Sequence, residues 1–133
     1  AGGQPLGLGL RENMIKECGE EAGIPPEIAA GVLPVGLIEY DHQSDDGAKP
    51  DRQYCFDLEL PVEFEPVAMD GEVDEFMLWP IEKVVARVRD TFEFKFNCNL
   101  VIIDFLIRHG VLDPDNEPDY AALCQGLQKG GTF

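Results

Sequence analysis

Three glutamates are crowded into one short stretch near the start of the chain, KECGEEAGI at residues 16–24. Glu17, Glu20 and Glu21 fall within two turns of a helix that the apolar spacing predicts over residues 10–22. Like charges three or four residues apart destabilise a helix by about 0.2–0.5 kcal/mol per pair, and the last two also lie toward the negative end of the helix dipole. A divalent cation among the carboxylates would reverse that cost, because Mg²⁺ prefers hard oxygen ligands.

The same three carboxylates share one face of the predicted helix, on which each residue advances by about 100°. The apolar side chains form a stripe between about 0° and about 100°, made of Met14, Cys18, Ala22 and Ile15. On the same wheel Glu20 lies at about 240°, Glu17 at about 300° and Glu21 at about 340°. The carboxylates therefore border the buried stripe, which leaves two interpretations open: a metal site or a solvated acidic face.

The residues around the glutamates extend the pattern over positions 2–24. This segment resembles the box of the Nudix hydrolases, G-x5-E-x7-R-E-U-x-E-E-x-G-U, in which U is a bulky apolar residue. The matching positions hold Gly2, Glu17, Cys18, Glu20, Glu21, Gly23 and Ile24. Two positions depart from the box: Leu8 stands in place of the first glutamate and removes one ligand or base, and Lys16 replaces arginine. Lysine keeps the charge but loses the bidentate fork that orients a carboxylate.

A further resemblance covers nearly the whole chain. The segments CFDLELP at 55–61 and FKFNCNLVIIDFLIRHG at 94–110, with several others, are similar to the Nudix domains of the thiamine-pyrophosphokinase-related subfamily. This resemblance implies hydrolysis of the diphosphate of damaged thiamine diphosphates, the oxo and oxy forms, to the monophosphate. A nucleotide-sugar or nucleotide diphosphatase of the same family, a Nudix-fold binding module without catalysis, and an interaction domain with a merely solvated acidic helix are the alternatives.

The resemblance also implies the metal ligands of such a site. Glu17, Glu20 and Glu21 would hold Mg²⁺ or Mn²⁺, and the backbone carbonyl of Gly2 would add a ligand. The metal would neutralise phosphate oxygens and orient the attacking water. The sequence does not identify the residues that bind the organic part of the substrate.

A general base must take the proton of that water. In this family the base is either a glutamate of the box, here Glu17 or Glu20, or a glutamate of a later loop. The stretch MDGEVDE at 69–75 offers Glu72 and Glu75, and we expect Glu72 because the preceding Asp-Gly pair places it in a loop. An exposed turn carboxylate without a role is the alternative.

The rest of the pattern predicts the elements that must position these residues. A short helix opens at Pro25-Pro26 and extends to about Gly31, strands follow at 33–43, 52–60 and 74–80, with a turn at 44–51, and helices follow at 81–92, 97–110 and 117–127. Strands followed by helices, with the resemblance, predict an α+β fold of the Nudix α/β/α sandwich type with a mixed sheet covered on both faces. Nudix domains carry two or three strands before the box, so we expect residues 1–133 to be a single domain truncated at its N-terminus.

Composition limits the partners of the chain. The net charge is −16, with 26 acidic and 10 basic residues, and a field of that sign repels nucleic acids and anionic membranes. The cysteines, Cys18, Cys55, Cys98 and Cys124, show no metal-finger spacing, so we expect four buried, reduced thiols. We expect a soluble, cytoplasmic protein that acts on a small-molecule diphosphate, and the sequence leaves open whether it forms a homodimer.

Overall fold

The computed structural model describes residues 2–45 and 47–129. Within these ranges the chain has the predicted α+β composition, with five helices and one two-stranded antiparallel sheet. The helices are α1 (Leu10–Ala22), α2 (Pro26–Ala29), α3 (Ile81–Asp90), α4 (Phe96–Arg108) and α5 (Tyr120–Lys129). The strands are β1 (Leu33–Ser44) and β2 (Gly47–Asp57). All helices predicted from apolar periodicity are present.

The chain divides into two compact units. The first contains the residues up to Gly36 together with Phe56–Leu78, and it therefore holds α1, α2 and every predicted site residue. The second contains Leu37–Cys55 and the residues from Trp79 onward, with α3, α4 and α5.

The core of the first unit confirms the apolar stripe predicted for α1. Ala22, Ile24 and Ala29 are buried at its centre, and the side chains packed against them are Ile15, Cys18, Ile28, Leu58, Leu60 and Phe64. Gly23 ends α1 with φ 64°, a left-handed conformation that costs glycine little. The chain reverses there, and the N–H of Ile24 donates to the carbonyl of Cys18 at 3.1 Å. This turn brings the buried Ile24 side chain into the cluster with Ala22 and Ala29.

The β1–β2 hairpin is confirmed, but its predicted long turn at 44–51 is wrong. β1 extends to Ser44 and β2 begins at Gly47, so two residues connect them, and Asp46 of this turn lies outside the described residues. Gly47 has φ 110°, which favours glycine. Pro50 is accommodated within β2 because a strand with one neighbour needs hydrogen bonds on one side only.

The predicted third strand at 74–80, and with it the mixed sheet covered on both faces, is also wrong. Residues 74–80 contain no strand or helix, and the described residues form one sheet of two strands. Phe76, Met77 and Leu78 are exposed by 40%, 61% and 101%. A strand requires a neighbouring strand that pairs with its backbone N–H and C=O groups, and an apolar sequence alone does not supply that neighbour.

In the second unit α4 packs against α5, and Leu106 of α4 is buried to 1% exposure. None of the described helices has the length and apolar content needed to cross a lipid bilayer. The cysteine prediction is correct for Cys55, which is buried, and wrong for Cys98, which is exposed at the first turn of α4. Cys18 and Cys124 are half-buried, and none of the four is in a disulfide.

Candidate functional site

Helix α1 presents the three predicted glutamates at graded depth. The side chain of Glu17 is 16% exposed, that of Glu20 is 53% exposed, and Glu21 is half-buried. This order follows the predicted angles, because Glu17 and Glu21 lie nearer to the apolar stripe than Glu20 does. Burial raises the pKa of the neighbouring Cys18 thiol, and the charges of Glu21 and Glu17 raise it further.

The carboxyl group of Glu17 lies directly against Gly2. A Cβ atom at Gly2 would be 2.2 Å from Oε2 and 2.5 Å from Oε1 of Glu17, distances that no side chain tolerates. Only glycine therefore allows this approach between the first residues of the chain and the helix. The structure thus brings together Gly2 and Glu17, two of the predicted metal-binding residues.

A buried amide that the sequence analysis did not single out connects the same two segments. Asn13 is 6% exposed, and its Nδ2 atom donates to the carbonyl of Gly3 at 3.1 Å. On the helical wheel used above Asn13 falls at about 260°, between Glu20 and Glu17. Its position on the carboxylate face was the signal that could have identified it.

Lys16 brings a positive charge between two of the carboxylates. Its Nζ atom lies 2.6 Å from Oε2 of Glu20 and 3.7 Å from Oε1 of Glu17. The hydrogen bond to Glu20 is the main reason that the pKa of Lys16 is raised above its usual 10.5, so the ammonium stays charged at neutral pH. One cationic group thus contacts both carboxylates at once.

The donor set fits a magnesium or manganese ion through these two carboxylates. Among the described residues, no group of three or more His, Cys, Asp and Glu side chains is close enough to hold a metal, so Glu21 does not join the other two at one point. Mg²⁺ requires fewer protein ligands than that, since it is commonly held by one or two carboxylates with water and substrate phosphate. The position of the Lys16 ammonium shows that a cation can lie between Glu17 and Glu20.

The loop that carries Glu72 is anchored to the C-terminal end of α1. The N–H of Val67 donates to the carbonyl of Ala22 at 3.0 Å, and Met69 packs against Gly23. Glu72 is exposed and follows Gly71, which has φ 80°, and its N–H donates to Oδ1 of Asp70 at 2.9 Å. The structure therefore places this loop beside the helix end without joining Glu72 to the cluster of carboxylates on α1.

These residues and elements define a class of molecule: an α+β chain whose first helix holds two carboxylates within 4 Å of one cationic group, with a glycine segment lying against one of them. No model of a protein family matches the chain. Comparison with curated proteins narrows the class.

Three relatives cover almost the whole chain. It is 45% identical over 130 residues to Nudix hydrolase 24, chloroplastic, of Arabidopsis thaliana, which is 98% of this chain and 35% of that protein. It is 44% identical over 128 residues to Nudix hydrolase 20, chloroplastic, of the same plant, which is 96% of this chain and 34% of that protein. An uncharacterized protein of Saccharomyces cerevisiae is 34% identical over 141 residues, 97% of this chain and 41% of that protein.

The chain thus spans about a third of the length of the plant proteins it resembles. The identities support the Nudix hydrolase family for this chain, in agreement with the box at residues 2–24. The names of these relatives state no substrate and no metal.

Proposed function

We propose that the chain carries the site of a metal-dependent hydrolase that cleaves a diphosphate bond in a small-molecule substrate. Glu17 and Glu20 would hold Mg²⁺ or Mn²⁺, with the carbonyl of Gly2 as a further ligand. Glu21, which among the described residues does not meet the other two at one point, would contribute through its charge only. The observation that supports the proposal is the approach of two carboxylates, those of Glu17 and Glu20, to one cationic group, the Lys16 ammonium, at 3.7 Å and 2.6 Å. The identity with proteins named Nudix hydrolases supports the class of reaction.

Each residue of α1 has a separate task in this proposal. When bound, the metal would neutralise phosphate charge and lower the pKa of an attacking water. The half-buried Glu17, held against Gly2, provides a carboxylate of defined direction. Glu20 is 53% exposed and accepts a hydrogen bond from Lys16, which adds a cation that attracts an anionic phosphate.

Glu72 is the proposed general base. Its loop is held at the end of α1 by Val67 and Met69, and its exposed carboxylate can accept a proton from water. A chain of three residues from Met69 extends at most about 10 Å, so the anchored loop keeps Glu72 near the helix end.

Isosteric amide variants test the metal-binding residues. We expect Glu17→Gln and Glu20→Gln to weaken Mn²⁺ binding in calorimetric titration of the full-length protein and to reduce diphosphate hydrolysis by about 100-fold or more. Glu12→Gln is the matched control, because Glu12 lies on α1 at about 160° on the wheel, away from the carboxylate face. Equal binding by all three variants would refute the proposal.

Glu72→Gln tests the base separately from the metal. We expect kcat to fall by about 100-fold with unchanged Mn²⁺ affinity, since general-base catalysis contributes about 10²–10⁴-fold. Glu63→Gln, which removes another exposed carboxylate of the same loop, is the control. If Glu72→Gln retains wild-type kcat and Glu75→Gln does not, the base is Glu75.

The substrate class rests on the resemblance of segments 55–61 and 94–110 to thiamine-pyrophosphokinase-related Nudix domains. Within the diphosphate class we therefore propose damaged thiamine diphosphate, in its oxo and oxy forms, as substrate. A panel of thiamine diphosphate, its oxidised forms, nucleotide sugars and nucleoside triphosphates decides this by the ratio of kcat/KM values. A preference for a nucleotide sugar would refute the thiamine assignment and leave the diphosphatase standing.

A binding module without catalysis is the second candidate. Leu8 in place of the first box glutamate and the ion pair of Lys16 with Glu20, which neutralises part of the acidic face without a metal, favour it. Phosphate release in the presence of Mg²⁺ separates the candidates, because a binding module releases none.

Location and partners complete the proposal. The net charge of −16 supports a small-molecule partner rather than nucleic acid or membrane. We propose a cytoplasmic location, whereas the names of both plant relatives include a chloroplast location. Immunoblotting of cell fractions from the source organism tests this, and recovery in an organelle fraction would refute it.

A further inference from the structure

Asn13 is a polar side chain that is buried on the carboxylate face of α1. Among the residues that the structure describes, it is the one amide or charged residue that is buried as a whole, at 6% exposure, whereas Gln53 and Asn99 have a buried amide oxygen within half-buried residues. Its Oδ1 atom is buried and has no hydrogen-bond partner within the described ranges. A buried polar atom without a partner is costly, whereas an apolar side chain of similar shape would carry no such cost.

The other end of the same amide makes one defined contact. Nδ2 of Asn13 donates to the carbonyl of Gly3 at 3.1 Å, and this bond joins the helix to the segment before it. Gly2, the preceding residue, is the one against which the carboxyl group of Glu17 packs. Asn13 and Glu17 are one helical turn apart, so they contact two adjacent residues of the segment from the same face of α1.

The segment has few other attachments. The side chain of Gln4 donates to the carbonyls of Leu8 and Pro5, which closes the loop upon itself and does not join it to the helix. The amide of Asn13 is therefore the side-chain hydrogen bond, among those the structure describes, that joins residues 2–4 to α1.

We propose that Asn13 is a positioning residue: by holding the carbonyl of Gly3, it keeps Gly2 against the Glu17 carboxyl group and so determines the direction of the Glu17 oxygens. The inference rests on the proposed metal-binding role of Glu17 and goes beyond it. It explains why an amide with an unpaired buried oxygen stands at position 13: the nitrogen of the same amide orients a metal ligand. Residues that orient a ligand through a second contact typically change metal affinity by about 10–100-fold when they are removed.

The test is the variant Asn13→Leu, which keeps the approximate shape, removes the donor to Gly3 and replaces the unpaired oxygen by an apolar group. We expect its melting temperature to equal or exceed that of the wild type. We expect its Mn²⁺ affinity to fall by about tenfold and hydrogen exchange of the amides in residues 2–9 to become faster. Ile15→Val is the control for a purely structural change: the melting temperature should fall, while Mn²⁺ affinity stays unchanged.

The outcomes separate the inference from the proposed function. If the wild type binds Mn²⁺, Glu17→Gln does not, and Asn13→Leu binds as the wild type does, the positioning role is overturned and the metal site stands. If the wild type itself binds no Mn²⁺, the proposed function fails and the inference falls with it. Should Asn13→Leu fail to fold, Asn13→Ala gives the same reading, because it also lacks the donor and introduces no bulk: unchanged Mn²⁺ affinity in that variant overturns the inference.

Discussion

Replacing Gly2 by alanine is the most direct perturbation of the site. The new Cβ would be 2.2 Å from Oε2 of Glu17 and 2.3 Å from its Cδ atom, and contacts under 3.0 Å are essentially never seen for a real Cβ. The Glu17 carboxyl group must therefore move by at least about 0.8 Å. The obstructing atoms are the end of a flexible side chain, so the displacement strains the fold little while it relocates the proposed ligand.

The expected magnitude follows from that displacement. A misplacement of about 1 Å at a catalytic group can reduce the rate by about 100-fold, which corresponds to about 2.7 kcal/mol of transition-state stabilisation. Gly2 is exposed, so we expect the free energy of unfolding to stay within about 0.5 kcal/mol of the wild type. Gly2→Ala is thus predicted to separate activity from stability.

The assay is the kcat for Mg²⁺-dependent phosphate release, with thermal unfolding measured on the same preparation. Gly3→Ala is a closely matched control, because it adds the same methyl group one residue away and nothing lies within 4 Å of that position. Equal kcat values for Gly2→Ala and Gly3→Ala would show that the contact between Gly2 and Glu17 does not matter for catalysis, and the reasoning from this geometry would be refuted.

Three further predictions address the charges and the core. Lys16→Met removes the ammonium that contacts both carboxylates and is expected to tighten Mn²⁺ binding by about 30-fold, the factor for a unit charge and a divalent ion about 4 Å apart in water; unchanged or weaker binding would contradict this. Burial, and then the hydrogen bond to Asp51, raise the pKa of Tyr40 above 10.0. The contribution of the neutral Tyr40 phenol to the stability of the fold is therefore complete below pH 10 and is lost as the pH rises through the raised pKa. Asp51→Asn should therefore lower the midpoint of phenolate absorbance in an alkaline titration, and an unchanged midpoint would contradict it. Leu106→Ala should lower the free energy of unfolding by about 2–5 kcal/mol, whereas Phe92→Ala, at a fully exposed side chain, should leave it unchanged.

The prediction of helix α1 succeeded because its determinants are local. Hydrogen bonds in a helix join residues four apart, so apolar spacing and a glycine at the end are sufficient to locate it. The stripe of Ile15, Cys18 and Ala22 and the graded exposure of the glutamates followed from the same periodicity. The β1–β2 hairpin was likewise predictable from the sequence. Its turn was not, because β2 begins at Gly47, within a segment whose residue types are typical of a loop.

The prediction at residues 74–80 failed because strand formation is not local. The apolar residues Phe76, Met77 and Leu78 resemble a strand, but strand formation depends on a neighbour elsewhere in the chain. The exposure of Cys98 has the same origin, since which side of a helix is covered depends on what packs against it.

The amino-acid sequence alone determined the acidic charge, the five helices, the shared face of Glu17, Glu20 and Glu21, and the resemblance that directs attention to them. The tertiary structure alone decided that Gly2 lies against Glu17, that Lys16 lies between two carboxylates, and that Asn13 is buried on the polar face of its helix. The physical reason is distance along the chain: helical periodicity places side chains on a face, but only the folding of residues 2–9 back onto α1 determines which of them become covered and which atoms they contact.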